Sequence, residues 1–389
     1  MSSYISSNAN RFYVALESAY GNVATITASS RIPAVKLTAR QQLEVTERKD
    51  KTGSRTFTGL PAGGRRRTNF SLSTYLTNWD QTAGEPCYGP LFQAAMGAAP
   101  LMGNGGVVAS YDTGRLGFTA AHGLAPGQAV SWGGQIRFVT AIVDSSTVQL
   151  NAPFATAPAA GVNIGPAITY TPATELPSVS VFDYWTPSTS VQRLLSGAAV
   201  DEMEILINGE YHEVRFSGVA QDLQDSASLS SGASQLQSFP VEPAPGALDY
   251  SPVPGNLGEA WLGTAPAQFF TITSATIVLK NNLDVRTREF GSSVPQAISP
   301  GQRSVTAAIQ LYSRDDTATE GLYQAARQRS PISIMFQLGQ LNGQMAGVYL
   351  KNVIPEVPEF DDSKNRLQWQ FRPSRGQGTT DDEIVVAFG

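Results

Sequence analysis

Apolar and polar residues alternate along much of this chain, and a period of two predicts strands with one face buried. Val35 and Leu37, then Leu43 and Val45, mark a strand within residues 32–48, and Phe70, Leu72 and Thr74 mark another within 69–76. Between them, residues 47–67 are polar, carry both signs of charge and turn at Gly59 and at Pro61-Ala62-Gly63-Gly64. The pattern is strand, long exposed excursion, returning strand. Residues 179–185 alternate too. Residues 201–207 set Met203, Ile205 and Ile207 on one face and Glu202 and Glu204 on the other, and Asn208-Gly209 predicts a tight hairpin back through 211–216. Leu367, Trp369 and Phe371 face away from Arg366, Gln368, Gln370 and Arg372. The Ser-rich residues 1–30 are expected to form an arm, not a core element.

Two stretches break this rhythm in the same way. DQTAGEPCYGPLFQAA (80–95) and DDTATEGLYQAA (315–326) each run Asp, Thr-Ala, Glu, then an aromatic residue and Gln-Ala-Ala. Leu322, Ala325 and Ala326 form one apolar stripe at helical spacing. Thr82 with Glu85, and Thr317 with Glu320, fit the capping box, although Pro90 moves the first helix start to its own first turn. The likeness spreads outward: Leu43 pairs with Leu283 at a separation of 240 residues, Tyr75 with Tyr312 at 237, and Gln93 with Gln324 at 231. Two copies of one domain in a single chain are expected. Residues 104–168 have no counterpart in the second copy. Their short strands at 116–120, 129–132, 136–143 and 147–150, spaced by Gly and Pro turns, predict a small inserted β module. The expected division is a discontinuous first domain (1–103 and 169–220), the outward-facing module (104–168), a Ser-, Pro- and Gly-rich linker (221–260) and a second domain (261–389).

Composition narrows the classes. Of 389 residues, 41% are hydrophobic and 15% charged, enough for sizeable cores and too apolar for disorder. The net charge of −5 argues against a dedicated nucleic-acid binder. Cys87 stands alone, which leaves no disulfide framework and no thiolate metal cluster. No basic region precedes an apolar run at the N-terminus and no stretch is long enough to span a bilayer, so neither a secretory signal nor a membrane anchor is expected.

Candidate chemistry is sparse. His122 lies in a turn, no G-x-S-x-G is present, and a Ser-His-Asp triad of residues distant in sequence has no signal. Asp361-Asp362 and Asp381-Asp382-Glu383 lack calcium-loop spacing, and Gly103-Asn104-Gly105-Gly106 has neither the Lys nor the spacing of a phosphate loop. No catalytic, metal or cofactor site is assigned. Arg65-Arg66-Arg67 reads as a solvated or salt-bridged strand start. The excursions differ: Arg48, Lys49, Asp50, Lys51 and Arg55 in the first, and Arg286, Arg288 and Glu289 in the second, gain little by folding onto their own core. They are expected to contact another subunit or ring by charge complementarity. Trp132 and Phe138 are either the module's own core or a platform for sugars.

The layout resembles the major tail tube proteins of long-tailed phages. The likeness lies in Glu17-x-x-Tyr20-Gly21, the strand-excursion-strand of 43–76, the strand pair around 195–218 and the helix with closing strand at 321–338. It covers most of the chain outside 104–168 and 221–260. The resemblance implies a mainly β fold: two tandem β-sandwich or barrel domains, each with a flanking helix. It implies rings of six such domains stacked into a hollow tube, with the long loop reaching the adjacent ring. With two domains per chain, three chains make a pseudo-hexameric ring. The implied role is a structural virion protein of the tail, assembled in the host bacterial cytoplasm. Its implied partners are itself, tail terminator, tape measure and tail-tip proteins, and genomic DNA passes through without specific binding. Glu202 and Glu204 are expected to face the lumen. The alternatives are a tail-end hub or inner-tube ring of a related injection machine, or a surface carbohydrate-binding β protein; an enzyme is not expected.

Overall fold

Side chains that alternate in polarity bury one face of a strand only if that face meets another layer. The computed structural model, which describes residues 4–44, 49–59, 64–79, 81, 84–185, 191–244 and 250–389, shows how the layers are built. In the first half they are β1 (Asn10–Leu16), β2 (Ala34–Leu43), β3 (Arg66–Tyr75), α1 (Gly89–Met96), β4 (Val179–Trp185), β5 (Arg193–Ile207) and β6 (Glu213–Ala220). The second half contains β7 (Ile272–Lys280), β8 (Ser304–Tyr312), α2 (Thr317–Gln328), β9 (Ile332–Leu338), β10 (Ala346–Val353), β11 (Glu359–Asp361), β12 (Gln368–Gln377) and β13 (Val385–Phe388). The fold is mainly β with two helices among the described residues.

Eight strands make one antiparallel layer in the order β2-β3-β6-β5-β7-β8-β12-β11. Each half supplies four consecutive strands, joined where β5 pairs with β7, Met203 opposite Leu279 and Ile205 opposite Ile277. Two outer sheets cover one face of this layer. One is built from Arg31–Ile32, β1, β4, the first part of β5 and Asp222–Asp225. The other runs Gly258–Gly263, β9, β10, β13, Ala167–Tyr170 and Leu101–Gly103. A continuous core lies between, with Leu72, Phe216, Met203, Ile205, Ile277, Leu279, Leu311 and Phe371 pointing in from the main layer.

Both Gln-Ala-Ala stretches are helical, as their spacing predicts. Phe92 of α1 meets Phe216 of the main layer edge-on at 5.3 Å and Phe388 of β13 at 5.1 Å, so the first helix also joins the two halves. The cap of α2 differs from expectation. Asp316, not Thr317, is the N-cap, and its Oδ1 accepts from Thr319 N at 2.8 Å. A carboxylate one residue earlier offers a charged acceptor to the positive end of the helix, and Thr317 becomes the first helical residue. Thr82, half of the other box, lies outside the described residues.

Three further expectations change. The N-terminal arm holds β1, whose Phe12 and Val14 enter the main core while Tyr13 packs with Phe182, Tyr184 and Leu194 on the other side. A strand buried on both faces shows no alternation, and its Ser-rich flanks hid it. The hairpin at Asn208 is wider than two residues: 208–212 separate β5 from β6, Asn208 alone takes a left-handed φ of 66°, and Tyr211 bridges to Pro254. Residues 221–260 open with a strand, Asp222–Asp225, that pairs with β5, and later Glu242 bonds Arg11 and Tyr13.

Residues 106–164 form a separate six-stranded sheet with its own core of Val108, Leu116, Phe118, Val139, Val148 and Leu150. The sheet is docked, not merely tethered. Ile136 and Phe138 pack against Met335, Tyr349, Val385 and Ala387 of the second outer sheet, with the Phe138 and Tyr349 rings stacked at 5.3 Å.

Candidate functional site

The uncovered face of the eight-stranded layer is its polar side. Thr38, Ser71, Ser217, Glu202, Lys280 and Ser304 lie side by side in one row across it, from β2 to β8. Glu202 and Glu204 both stand on this face, each in an ion pair. Glu202 meets Lys280 at 3.0 Å, and Glu204 meets Arg215 at 3.3 Å, which also holds Glu213 at 2.9 Å. These carboxylates raise the pKa values of Lys280 and Arg215 by hydrogen bonding. Lys36, Arg40, Arg67, Arg372 and Arg375 share the face with Glu359 and Asp361. Its charge is therefore mixed, and the acidity of the whole chain does not reside here.

Where the halves join, Asn281 is 2% exposed and donates from Nδ2 to Ala95 O at 3.0 Å and Val200 O at 2.9 Å, tying β7 to α1 and β5. Among the described residues, β2 pairs only with β3, and β11 only with β12. Both edges are exposed, with Phe360 of β11 56% accessible.

The two excursions leave the same end of the layer, after β2 and after β7. Lys49, Asp50, Lys51 and Arg55 are exposed in the first, and Arg48 lies outside the described residues. In the second, Arg286 and Arg288 are exposed and Arg286 pairs with Glu289. The second excursion reaches the first half through Arg66 N donating to Ser293 O at 2.7 Å. Sequence reading of the charges missed their aromatic companions. Arg55-Thr56-Phe57 and Arg288-Glu289-Phe290 repeat one another, and Phe57 and Phe290 are 64% and 106% exposed. The opposite end of the layer carries Tyr75 against Tyr211 at 5.0 Å and an exposed Phe270.

Glu17-x-x-Tyr20-Gly21 is a structural clasp. The nearly buried Glu17 carboxylate accepts from Gly21 N, Gly197 N, Ser178 Oγ and Ser180 Oγ at 2.7–2.8 Å. A left-handed φ of 79° lets Gly21 turn back onto it.

The remaining candidates have local roles. His122 is half-buried, with Nε2 3.1 Å from Asp144 O and Nδ1 accepting from Leu124 N. His212 is buried and donates from Nε2 to Leu257 O at 3.0 Å; burial lowers its pKa, against that hydrogen bond. Burial pushes the Cys87 thiol up to about 11. Arg303 bonds both Asp381 and Glu383 at 2.9 Å, and Lys351 bonds Asp382 at 2.8 Å. No group of three metal-ligating side chains occurs among the described residues, and none of their helices is long and apolar enough to cross a membrane. Phe138 is fully buried and cannot serve as a sugar platform; Trp132, half-buried, donates to Thr156 O at 3.2 Å.

The family model described as phage tail tube protein matches residues 7–388. No curated protein matches the chain.

Proposed function

Because this chain belongs to the phage tail tube protein family, we propose that three copies close into a ring of six similar units, and that the rings stack into the hollow tube through which DNA leaves the virion. The observation that carries this reading is the main layer itself. Two four-stranded units lie edge to edge in one sheet, with an apolar face under cover, a polar face open and, among the described residues, both outer edges unpaired. Three such layers joined at their edges give a continuous wall whose inner surface is the polar face, with Glu202 and Glu204 in the lumen. Ion pairing across that surface keeps its field low, so a polyanion passes without being gripped. Tail terminator, tape measure and tail-tip proteins are the partners such a tube requires.

The excursions then reach the adjacent ring, with Phe57 and Phe290 as apolar anchors beside the charges. Two equivalent loops on one end favour an open-ended stack of like rings over a hub that caps it. The module at 104–168 sits on the outer sheets, away from the polar face, and becomes an outer knob.

Electron microscopy of the purified protein, with averages viewed down the particle axis, tests the reading. Hollow rings or tubes with three outer knobs are expected. Six knobs overturn the pairing of two units per chain, and compact monomers at every concentration overturn self-assembly of the chain by itself.

A further inference from the structure

We infer that the two halves carry one and the same outer socket, and that the charge in each socket selects the segment that covers it. Arg11 in the first half selects residues 226–244 through Glu242, and Glu259 in the second half selects the inserted module through Arg137. This recognition lies within the chain and does not depend on the tube reading.

The sockets match residue for residue. The pairing of β4 with β5 shifts register between Val179 and Val181, and that of β9 with β10 shifts between Ile332 and Ile334. Beyond the shift, Phe182 stands opposite Leu194 and Met335 opposite Tyr349. The next strand repeats as well. β1 sets Tyr13 opposite Phe182 and Arg11 opposite Tyr184, and Gly258–Gly263 sets Trp261 opposite Met335 and Glu259 opposite Gln337. Tyr13 therefore takes the place of Trp261, and Arg11 that of Glu259. Both sheets are apolar on the side away from the main core, and a sheet apolar on both sides needs a second cover. Phe182 and Leu194 pack with Leu236 and Phe239, and Met335 and Tyr349 with Ile136 and Phe138.

Each cover is clasped by the same three groups, with the sign reversed. Glu242 accepts from Arg11 Nη2 at 2.5 Å and from the Tyr13 hydroxyl at 3.0 Å. Glu259 accepts from Arg137 Nη2 at 2.8 Å and from Trp261 Nε1 at 3.1 Å. The aromatic donor belongs to the socket both times. The carboxylate comes from the cover in the first clasp and from the socket in the second. The side chains of Arg11 and Glu242 are 19% and 18% exposed, and those of Arg137 and Glu259 0% and 12%, so water screens neither pair as it would a surface pair. Exchanged covers would bring Glu242 to Glu259 and Arg137 to Arg11. Like charges with so little access to water repel strongly, so each cover is turned away from the wrong socket as well as drawn to its own.

Chymotrypsin acting on the full-length protein, with fragments identified by mass spectrometry, tests the inference. Leu236 and Phe239 are cleavage points that docking of 226–244 protects. Arg11→Glu and Glu242→Arg should each speed cleavage there roughly tenfold or more, as loss of a charge-assisted pair implies. The two changes combined should restore protection, and cleavage of the combined variant as fast as the single ones overturns recognition by charge. Should the reversed pair fail to fold, Arg11→Lys should be cut more slowly than Arg11→Gln, and equal rates overturn it as well. The selection is read on refolding. With Arg11→Glu and Glu242→Arg together, both sockets are acidic and both covers basic. Refolding from denaturant should then return a mixture, part of it aggregated or newly cleavable within 104–168. A single species recovered as cleanly as from the unmodified protein would overturn the selection and leave two unrelated ion pairs.

Discussion

Among the described residues, Arg137 is the largest side chain hidden completely, and its surroundings explain how a charge survives there. Nη2 bonds Glu259 at 2.8 Å, Nη1 donates to Ile136 O and Nε to Pro153 O, and the guanidinium lies between the rings of Phe154 and Trp261. Burial lowers its pKa, with Glu259 opposing. Removing one partner of such a pair strands the other, so Arg137→Ala should cost about 3–5 kcal/mol in denaturant unfolding. Arg137→Met combined with Glu259→Leu should recover most of that loss; no recovery would mean that shape, not charge, dominates the site. His212 yields a pH prediction. Its pKa lies below the ordinary value because burial disfavours the cation. As pH falls below about 6.5, the unfolded chain binds a proton that the native chain resists, and stability declines until the folded pKa is passed. His212→Gln should flatten the unfolding midpoint between pH 7 and pH 5, and an unchanged slope would assign the dependence to other groups.

At the scale of elements, each excursion presents one exposed aromatic residue beside its charges. Phe57 and Phe290 are too exposed for either to stabilise the monomer that carries it. Deleting residues 49–56 should leave folded subunits that form rings and no longer stack, as judged by sedimentation and microscopy. Phe57→Ser with Phe290→Ser should shorten tubes while leaving the unfolding midpoint within about 0.5 kcal/mol, as for surface positions. Tubes of normal length from either variant would remove these loops from the ring-to-ring contact. The helices show how element starts are decided. Pro90 lies in the first turn of α1, as its fixed φ allows, but one carboxylate displaced the expected threonine cap of α2.

For the whole molecule, the module changes most between sequence and structure. As an appended β unit it is expected to be dispensable. The fold instead docks it through Ile136, Phe138 and Arg137 onto β9, β10, β13 and the strand carrying Glu259. Gln337 adds bonds to Ile136 N and Gly134 O, both 2.9 Å. Replacing residues 104–168 by a short Gly/Ser bridge uncovers Met335, Tyr349 and Val385 and leaves Glu259 unpaired. The deletion should therefore lower the unfolding midpoint and promote aggregation; restoring polar residues at those three positions should return soluble, ring-forming protein. Full stability of the bare deletion would show that the docked face contributes little.

Much was determined by sequence alone because it is local. Alternation decides which way a side chain points, so the strands at 35–43, 69–75 and 201–207, the polar placement of Glu202 and Glu204, and the two Gln-Ala-Ala helices could be read from neighbours a few residues away. The family followed from the order of those elements. Tertiary structure decided what depends on partners far along the chain. Pairing of β5 with β7 makes one layer from two halves, Asn281 locks that joint to α1, and Glu17 gathers loops from three regions. Strands buried on both faces, such as β1, carry no alternation to read. A buried arginine resembles a surface one until its carboxylate and its two rings, supplied by residues up to 124 positions away (Arg137 to Trp261), close around it. Exposure itself, at Phe57, Phe290 and Phe360, is a property of the folded surface and becomes visible only when everything else apolar has been covered.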